Sequence, residues 1–329
     1  MSLRAAALAL LLLLATLGRA AAADVQDVTI AVSSTSFVLG GVRIGEHAGL
    51  FARNGLHLRV IVMDSGNAAM SALIGGSAQF TVAGPGEVLA ARARGQDVVI
   101  VANLYQGLAG SVVLSRDVAA ALKVPVDAPV AARLKALDGL SVAVPSATSA
   151  LLAPVRDAAE AQGAHIRFTY MSQPAMVAAL DSHAVQGLDA SFPYAGMPII
   201  RGTGVLWING PGGELGSFSP ASSSCLQTTA AYARSAAGTV RQLQQAIIDI
   251  ADYVRDHPQD ARQALARGYP QLGPADIDLA FTQQQQNWTK PFLNAADIRH
   301  EIALLKASVK LPGLDAIDPA AVLVAGPSG

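Results

Sequence analysis

The chain has one cysteine in 329 residues, Cys225, so no disulfide can form within it, and a disulfide-stapled extracellular scaffold is excluded. Charge is scarce as well: 14% of residues are charged, and 23 Lys+Arg stand against 24 Asp+Glu. No basic tract is present to neutralise a nucleic-acid backbone, so nucleic acid is not an expected partner. The six histidines, at 47, 57, 165, 183, 257 and 300, include no close pair at metal-ligand spacing, so neither a metal nor another cofactor is expected. After residue 17 no apolar run approaches the roughly 20 residues that span a bilayer. What is abundant is apolar side chain, 52% of the sequence. Spread over this length it exceeds one ordinary core and predicts two lobes.

The N-terminus has its own pattern. Arg4 precedes an apolar run from Ala5 to Leu17, and Ala21-Ala22-Ala23 follows. The run is too short to cross a membrane, and small residues at the two recognised positions predict cleavage after Ala23. Residues 1–23 are therefore expected to be a signal peptide. With Cys225 far from the cleavage point, no thiol is placed for a lipid anchor, so a free periplasmic protein is expected. Cys225 itself lies in an apolar, strand-like stretch and reads as a buried structural thiol.

Beyond residue 24, strand-like runs alternate with helical patterns, the signature of βαβ units and parallel sheets. Val28-Thr29-Ile30-Ala31-Val32, 56–62, 78–83 and 98–102 read as four strands, the first three each followed by a turn and helix. The pattern restarts after the proline-bearing stretch 117–129, with strands at 140–144, 166–170, 187–190 and 205–208. After Ser222 it turns mainly helical, and Val240, Leu243, Ile247, Ile250, Ala251 and Val254 recur three or four apart, an apolar helix face. We expect residues 24–111 to begin lobe 1, 112–221 to form lobe 2, and 222–329 to return and complete lobe 1.

Several segments, taken in order, resemble one family. They are Glu46-His47-Ala48-Gly49-Leu50-Phe51-Ala52-Arg53-Asn54-Gly55-Leu56, then the small-residue turn at 72–80, then Leu137-Asp138-Gly139-Leu140, then Met176-Val177-Ala178-Ala179-Leu180 with Leu188-Asp189-Ala190. Their order and spacing are similar to those of the solute-binding proteins of nitrate, sulfonate, taurine and thiamine-precursor importers. The resemblance implies an α/β fold, the two-lobed periplasmic binding protein of type II, with two doubly wound sheets, a two-strand hinge and C-terminal helices. It also implies lobe closure on a small-molecule solute and an ABC permease in the inner membrane as partner, with the protein itself a monomer.

Ligands of open α/β sheets bind beyond the carboxyl ends of the strands, which selects six loops: 33–37, 64–67, 84–87, 146–149, 172–174 and 191–194. None contains Lys or Arg. Their hydroxyl and amide residues cap helices, and the same backbone N–H groups can hold a polar or negative group. Candidate ligand residues are Ser33, Ser34, Ser36, Asn67, Gly86, Ser146, Thr148 and Gln173, with Phe37, Tyr105 and Tyr194 as apolar or amphipathic walls. Glu87 stands apart. In the first turn of a helix it favours the macrodipole; facing a ligand it would bind an amine or ring N–H, favouring a zwitterion such as taurine or a heterocycle over nitrate or a simple alkylsulfonate.

Two enzyme types resemble the same family, thiamine pyrimidine synthases and sulfinate-releasing hydrolases. The first is weakened because this chain has no cysteine-rich run, and the second would need a thiol in the first loop, where Ser and Thr stand. No catalytic residue is assigned, and a receptor rather than an enzyme is expected. A sensor ectodomain would use the same cleft, with a membrane-spanning segment after it.

Overall fold

The computed structural model describes residues 25–32, 35–63, 66–145 and 149–327. The expected signal peptide lies outside them. Ten strands form two five-stranded sheets flanked by helices. The first contains β1 (Gln26–Val32), β2 (Leu56–Val62), β3 (Phe80–Ala83), β4 (Val98–Gln106) and β10 (Ser222–Thr229), in the order β2-β1-β3-β10-β4. The second contains β5 (Gly110–Ser115), β6 (Ser141–Val144), β7 (Arg167–Tyr170), β8 (Gly187–Ser191) and β9 (Gly204–Asn209), in the order β7-β6-β8-β5-β9.

The two α/β sheets are as expected, and each is mixed rather than wholly parallel. β1, β2 and β3 pair in parallel, as do β6, β7 and β8, but β10 runs antiparallel to β3 and β4, and β5 antiparallel to β8 and β9. The reason is the path of the chain. β4 ends at Gln106 and β5 starts at Gly110, so the chain passes from one sheet straight into the other with no crossover helix to restore a parallel direction. β5 itself was not anticipated as a separate strand.

The late helix Ala237–Asp256 covers the first sheet through the anticipated face: Val240, Leu243, Ile247, Ile250, Ala251 and Val254 are all buried. It packs close to the helix Gly40–His47. A β carbon at Gly45 would lie 2.4 Å from Ile250 Cδ1, so only glycine permits this approach. The chain crosses between the sheets a second time between β9 and β10, and the two crossings are tied together. Gly107 N–H donates to Ala221 O, Ser223 Oγ donates to Gly107 O and accepts from Ala109 N–H, and Asn287 Nδ2 donates to both Gln106 O and Pro211 O.

Candidate functional site

A cavity of about 350 Å³ opens between the two sheets, at the carboxyl ends of their parallel strands. One wall comes from the first sheet: Val32 closes β1, Ser36 begins the short helical turn Phe37–Leu39, Val82 and Ala83 end β3, Gly84 follows it, and Glu87 rises from the next helix. Ser223 and Ser224 of β10 join them. The opposite wall comes from the second sheet, through Pro145, Ser149 and Leu151 after β6, Gln173 after β7 and Ser191 at the end of β8. Ala109, in the first crossing, forms the floor between them.

The side chains are held by the strands behind them. Ser224 Oγ donates to Val38 O at 3.1 Å and so fixes the turn carrying Ser36. Tyr269 Oη donates to Ser36 O from the other side. Gln173 Oε1 accepts from both the backbone N–H and the hydroxyl of Ser191, at 2.9 and 3.1 Å. That interaction consumes the carbonyl end of the amide and turns its N–H₂ end to other partners. On the first wall Gln227 Nε2 donates to Ala83 O and Gly84 O at 2.8 and 3.0 Å, securing the turn from which Glu87 projects.

Among the described lining residues Glu87 carries the single formal charge, and no Lys, Arg or His is present. Pro85 occupies the first turn of the helix Pro85–Ala93, with Gly84 as its N-cap, so the sequence starts the helix here and aims Glu87 from that turn. The Glu87 residue is solvent-accessible along the cavity, yet protein surrounds it. Loss of bulk water raises its carboxyl pKa, opposed by hydrogen bonds from the backbone at Glu87 and Gly84. A carboxyl so placed suits an N–H donor and repels an anion.

Ser36, Glu87 and Gln173 are thus brought together on the cavity wall. Other expected residues are placed elsewhere. Phe37 is fully buried, edge-on to Tyr269 with ring centroids 4.4 Å apart, and Tyr105 is fully buried with its hydroxyl donating to Gln284 Oε1 at 3.0 Å. Both belong to the core, because each aromatic body finds more apolar contact beneath the sheet than at its end. Tyr194 is half-buried at the margin of the core, and neither it nor Gly86 is among the cavity-lining residues. Asn67 falls in the helix Gly66–Ile74, its side chain outside the described part, while Ser33, Ser34, Ser146 and Thr148 lie outside the described residues. Reading the sequence missed Ser223 and Ser224, which enter from a strand some 190 residues after β1; no local signal links them to the first lobe. Ser149 and Ser191 lay in two of the six loops but were not singled out.

The described residues contain no group of His, Cys, Asp and Glu arranged to hold a metal ion. Cys225 is buried, its Sγ donating to Ala83 O, and burial drives its thiol pKa far up, which suppresses nucleophilicity. The histidine rings with hydrogen bonds, His57 and His300, reach Asp27 and the backbone oxygen of Ser219.

Residues 22–268 match the model of the NMT1-like family. A search of curated proteins returns no match. Among solved structures, the alkanesulfonate-binding protein SsuA from Xanthomonas axonopodis pv. citri, bound to MOPS, superposes with a TM-score of 0.66 at 18% identity, covering 88% of this chain and 95% of that one. The periplasmic nitrate-binding protein NrtA from Synechocystis PCC 6803 gives 0.64 at 14% identity, covering 86% and 80%. The desulfurization enzyme DszB gives 0.58 at 17% identity, covering 90% and 96%. At these identities the likeness establishes the fold, a periplasmic binding protein fold of two α/β sheets. The same fold carries both receptors and an enzyme.

Proposed function

We propose, from the premise that this chain belongs to the NMT1-like family, that it is the periplasmic solute receptor of an ABC importer and captures a small polar organic molecule bearing an ammonium or N–H group. The observation that carries the reading is the lone charge of the described cavity wall, the Glu87 carboxyl, facing neutral hydroxyl and amide groups. Nitrate or a simple alkylsulfonate would meet a carboxyl there with no side-chain cation to offset it. A zwitterion such as taurine, or an N–H heterocycle, places its donor on Glu87 and its acceptor groups against Ser36, Gln173 and nearby backbone N–H groups. The likeness to the alkanesulfonate-binding and nitrate-binding proteins supports transport of a small polar solute, and the Glu87 carboxyl argues for a solute unlike theirs in charge.

In this reading residues 1–23 direct export and are removed, the receptor acts as a monomer, and an inner-membrane permease receives the loaded form. Lobe 1 comprises 24–111 and 222–329, and lobe 2 comprises 112–221. Sheet membership supports that division, and the two hydrogen-bonded crossings supply a hinge about which the walls close. A hydrolase on the same fold needs a nucleophile with a base, and the buried Cys225 does not supply one.

The test is a thermal-shift and calorimetric comparison of taurine, ethanesulfonate, nitrate and a pyrimidine on protein purified without denaturation. A true ligand at a hundred times its Kd adds about 2.7 kcal/mol to stability. The expected result is at least tenfold tighter binding of an N–H-bearing solute than of ethanesulfonate, with the preference lost in Glu87→Gln. Equal binding of nitrate and ethanesulfonate, or an unchanged preference in Glu87→Gln, would overturn the assignment.

A further inference from the structure

We propose that Asp189 is a second, concealed ligand acceptor in the wall opposite Glu87, so that the preferred solute carries two separated N–H groups, one for each carboxyl. This deepens the reading of the cavity as an N–H-binding site and rests on it.

Asp189 lies in β8, two residues before Ser191, and alternate residues of a strand share a face. Ser191 lines the cavity, so Asp189 stands one side-chain layer behind it, roughly 7 Å further along the strand. The space for its carboxyl is made by Gly110. A β carbon there would sit 2.8 Å from Asp189 Oδ1 and 2.9 Å from Leu151 Cδ2. Gly110 pairs with Ser191 and directly follows Ala109 of the cavity floor, while Leu151 is itself part of the cavity wall. Asp189 Oδ1 and Leu151 Cδ2 thus both border the space at Gly110, and Leu151 borders the cavity as well.

Asp189 is completely buried, and neither carboxyl oxygen has a hydrogen-bond partner among the described residues. A buried polar group without a partner is costly, whereas an apolar residue of similar size would close the same gap at no such penalty. The group thus burdens the empty protein, and a donor arriving from the cavity would relieve it. Burial raises its pKa to about 8, so the empty site holds the proton at neutral pH. Binding a cationic nitrogen there requires a rotation of Leu151 and transfer of the carboxylic proton to solvent, leaving an ammonium–carboxylate pair. Charge balances, since one proton leaves as one positive charge enters.

The probes are the terminal diamines with three to five carbons and their matching monoamines, with taurine as reference, measured by calorimetry at pH 7. The proposal expects at least one diamine to bind tenfold or more tighter than its monoamine, and Asp189→Asn to erase that gain while leaving taurine binding intact. Calorimetry in two buffers of different ionisation enthalpy should show close to one proton released per diamine and none per monoamine. This wild-type measurement decides the matter if Asp189→Asn fails to fold. The empty Asp189→Asn protein should also melt higher than wild type. A diamine that binds no better than its monoamine, an undiminished gain in Asp189→Asn, or no proton release would overturn the proposal. If taurine and ethanesulfonate bind wild type equally, the N–H reading of the cavity fails first, and this inference fails with it.

Discussion

The interior strands β10 and β8 both carry polar side chains through the middle of a sheet, and they differ at one residue, Asp189. In β10 every polar side chain makes a bond, with Gln227 Oε1 left over among the described residues: Ser222 Oγ donates to Ser224 O, Ser223 to Gly107 O, Ser224 to Val38 O, Gln227 to Ala83 and Gly84, and Thr228 to Gln79 O, while Thr229 Oγ1 accepts from Tyr232 N–H. Even the carboxylate that meets its start, Glu301, accepts from the N–H groups of Ala221 and Ser222 at 2.6 and 3.3 Å. In β8, Ser191 donates to Gln173 Oε1, but among the described residues the carboxyl oxygens of the buried Asp189 have no partner. The contrast separates two uses of a buried polar group. Paired, it specifies where a strand from the far end of the chain must dock; unpaired, it is a standing cost that a ligand can relieve.

Breaking the paired side should expose how much each bond contributes. Glu301 gives the largest effect. Burial raises its pKa to about 7 from 4.5, despite the two backbone donors and with a contribution from Glu87. The folded state therefore holds a proton over a range in which the unfolded state has lost it. Its favourable contribution is complete below pH 4.5 and is lost as pH climbs through 7, a span of ~3 kcal/mol. Glu301→Gln keeps the acceptor oxygen and should flatten this part of the stability profile, read from urea midpoints between pH 4.5 and 8. Next, Gln227→Ala leaves the carbonyls of Ala83 and Gly84 without their side-chain donor and should cost about 2 kcal/mol in chemical denaturation. A loss below a few tenths would show that the pairing of β10 is incidental. Smallest, Thr228→Val removes the bond to Gln79 O with almost no change in shape and should cost about 1 kcal/mol by the same measurement.

Much of the fold was legible in the sequence because it depends on local periodicity. The strand and helix alternation from Val28 to Ile208 and the apolar stripe from Val240 to Val254 are patterns within short windows. The loop rule found Ser36, Glu87 and Gln173 for the same reason, since strand ends can be located before their partners are known. Phe37 and Tyr105 were misjudged because an aromatic at a strand end is equally placed for wall or core. The stretch around Cys225 read as strand-like, but nothing local said where Ser222–Thr229 docks, since Ser223, Ser224 and Thr228 bond residues far away in sequence.

The sequence by itself determined the alternating α/β character, the cation-poor loops and the presence of one acidic residue at a helix start beside them, because composition and local spacing suffice for each. Only the tertiary structure decided that β5 and β10 run against their neighbours, that Ser223 and Ser224 share a wall with Glu87, and that Asp189 is buried without a partner among the described residues. Those depend on contacts between segments about 40 to 190 residues apart, and no local pattern encodes which distant backbone will meet a given side chain.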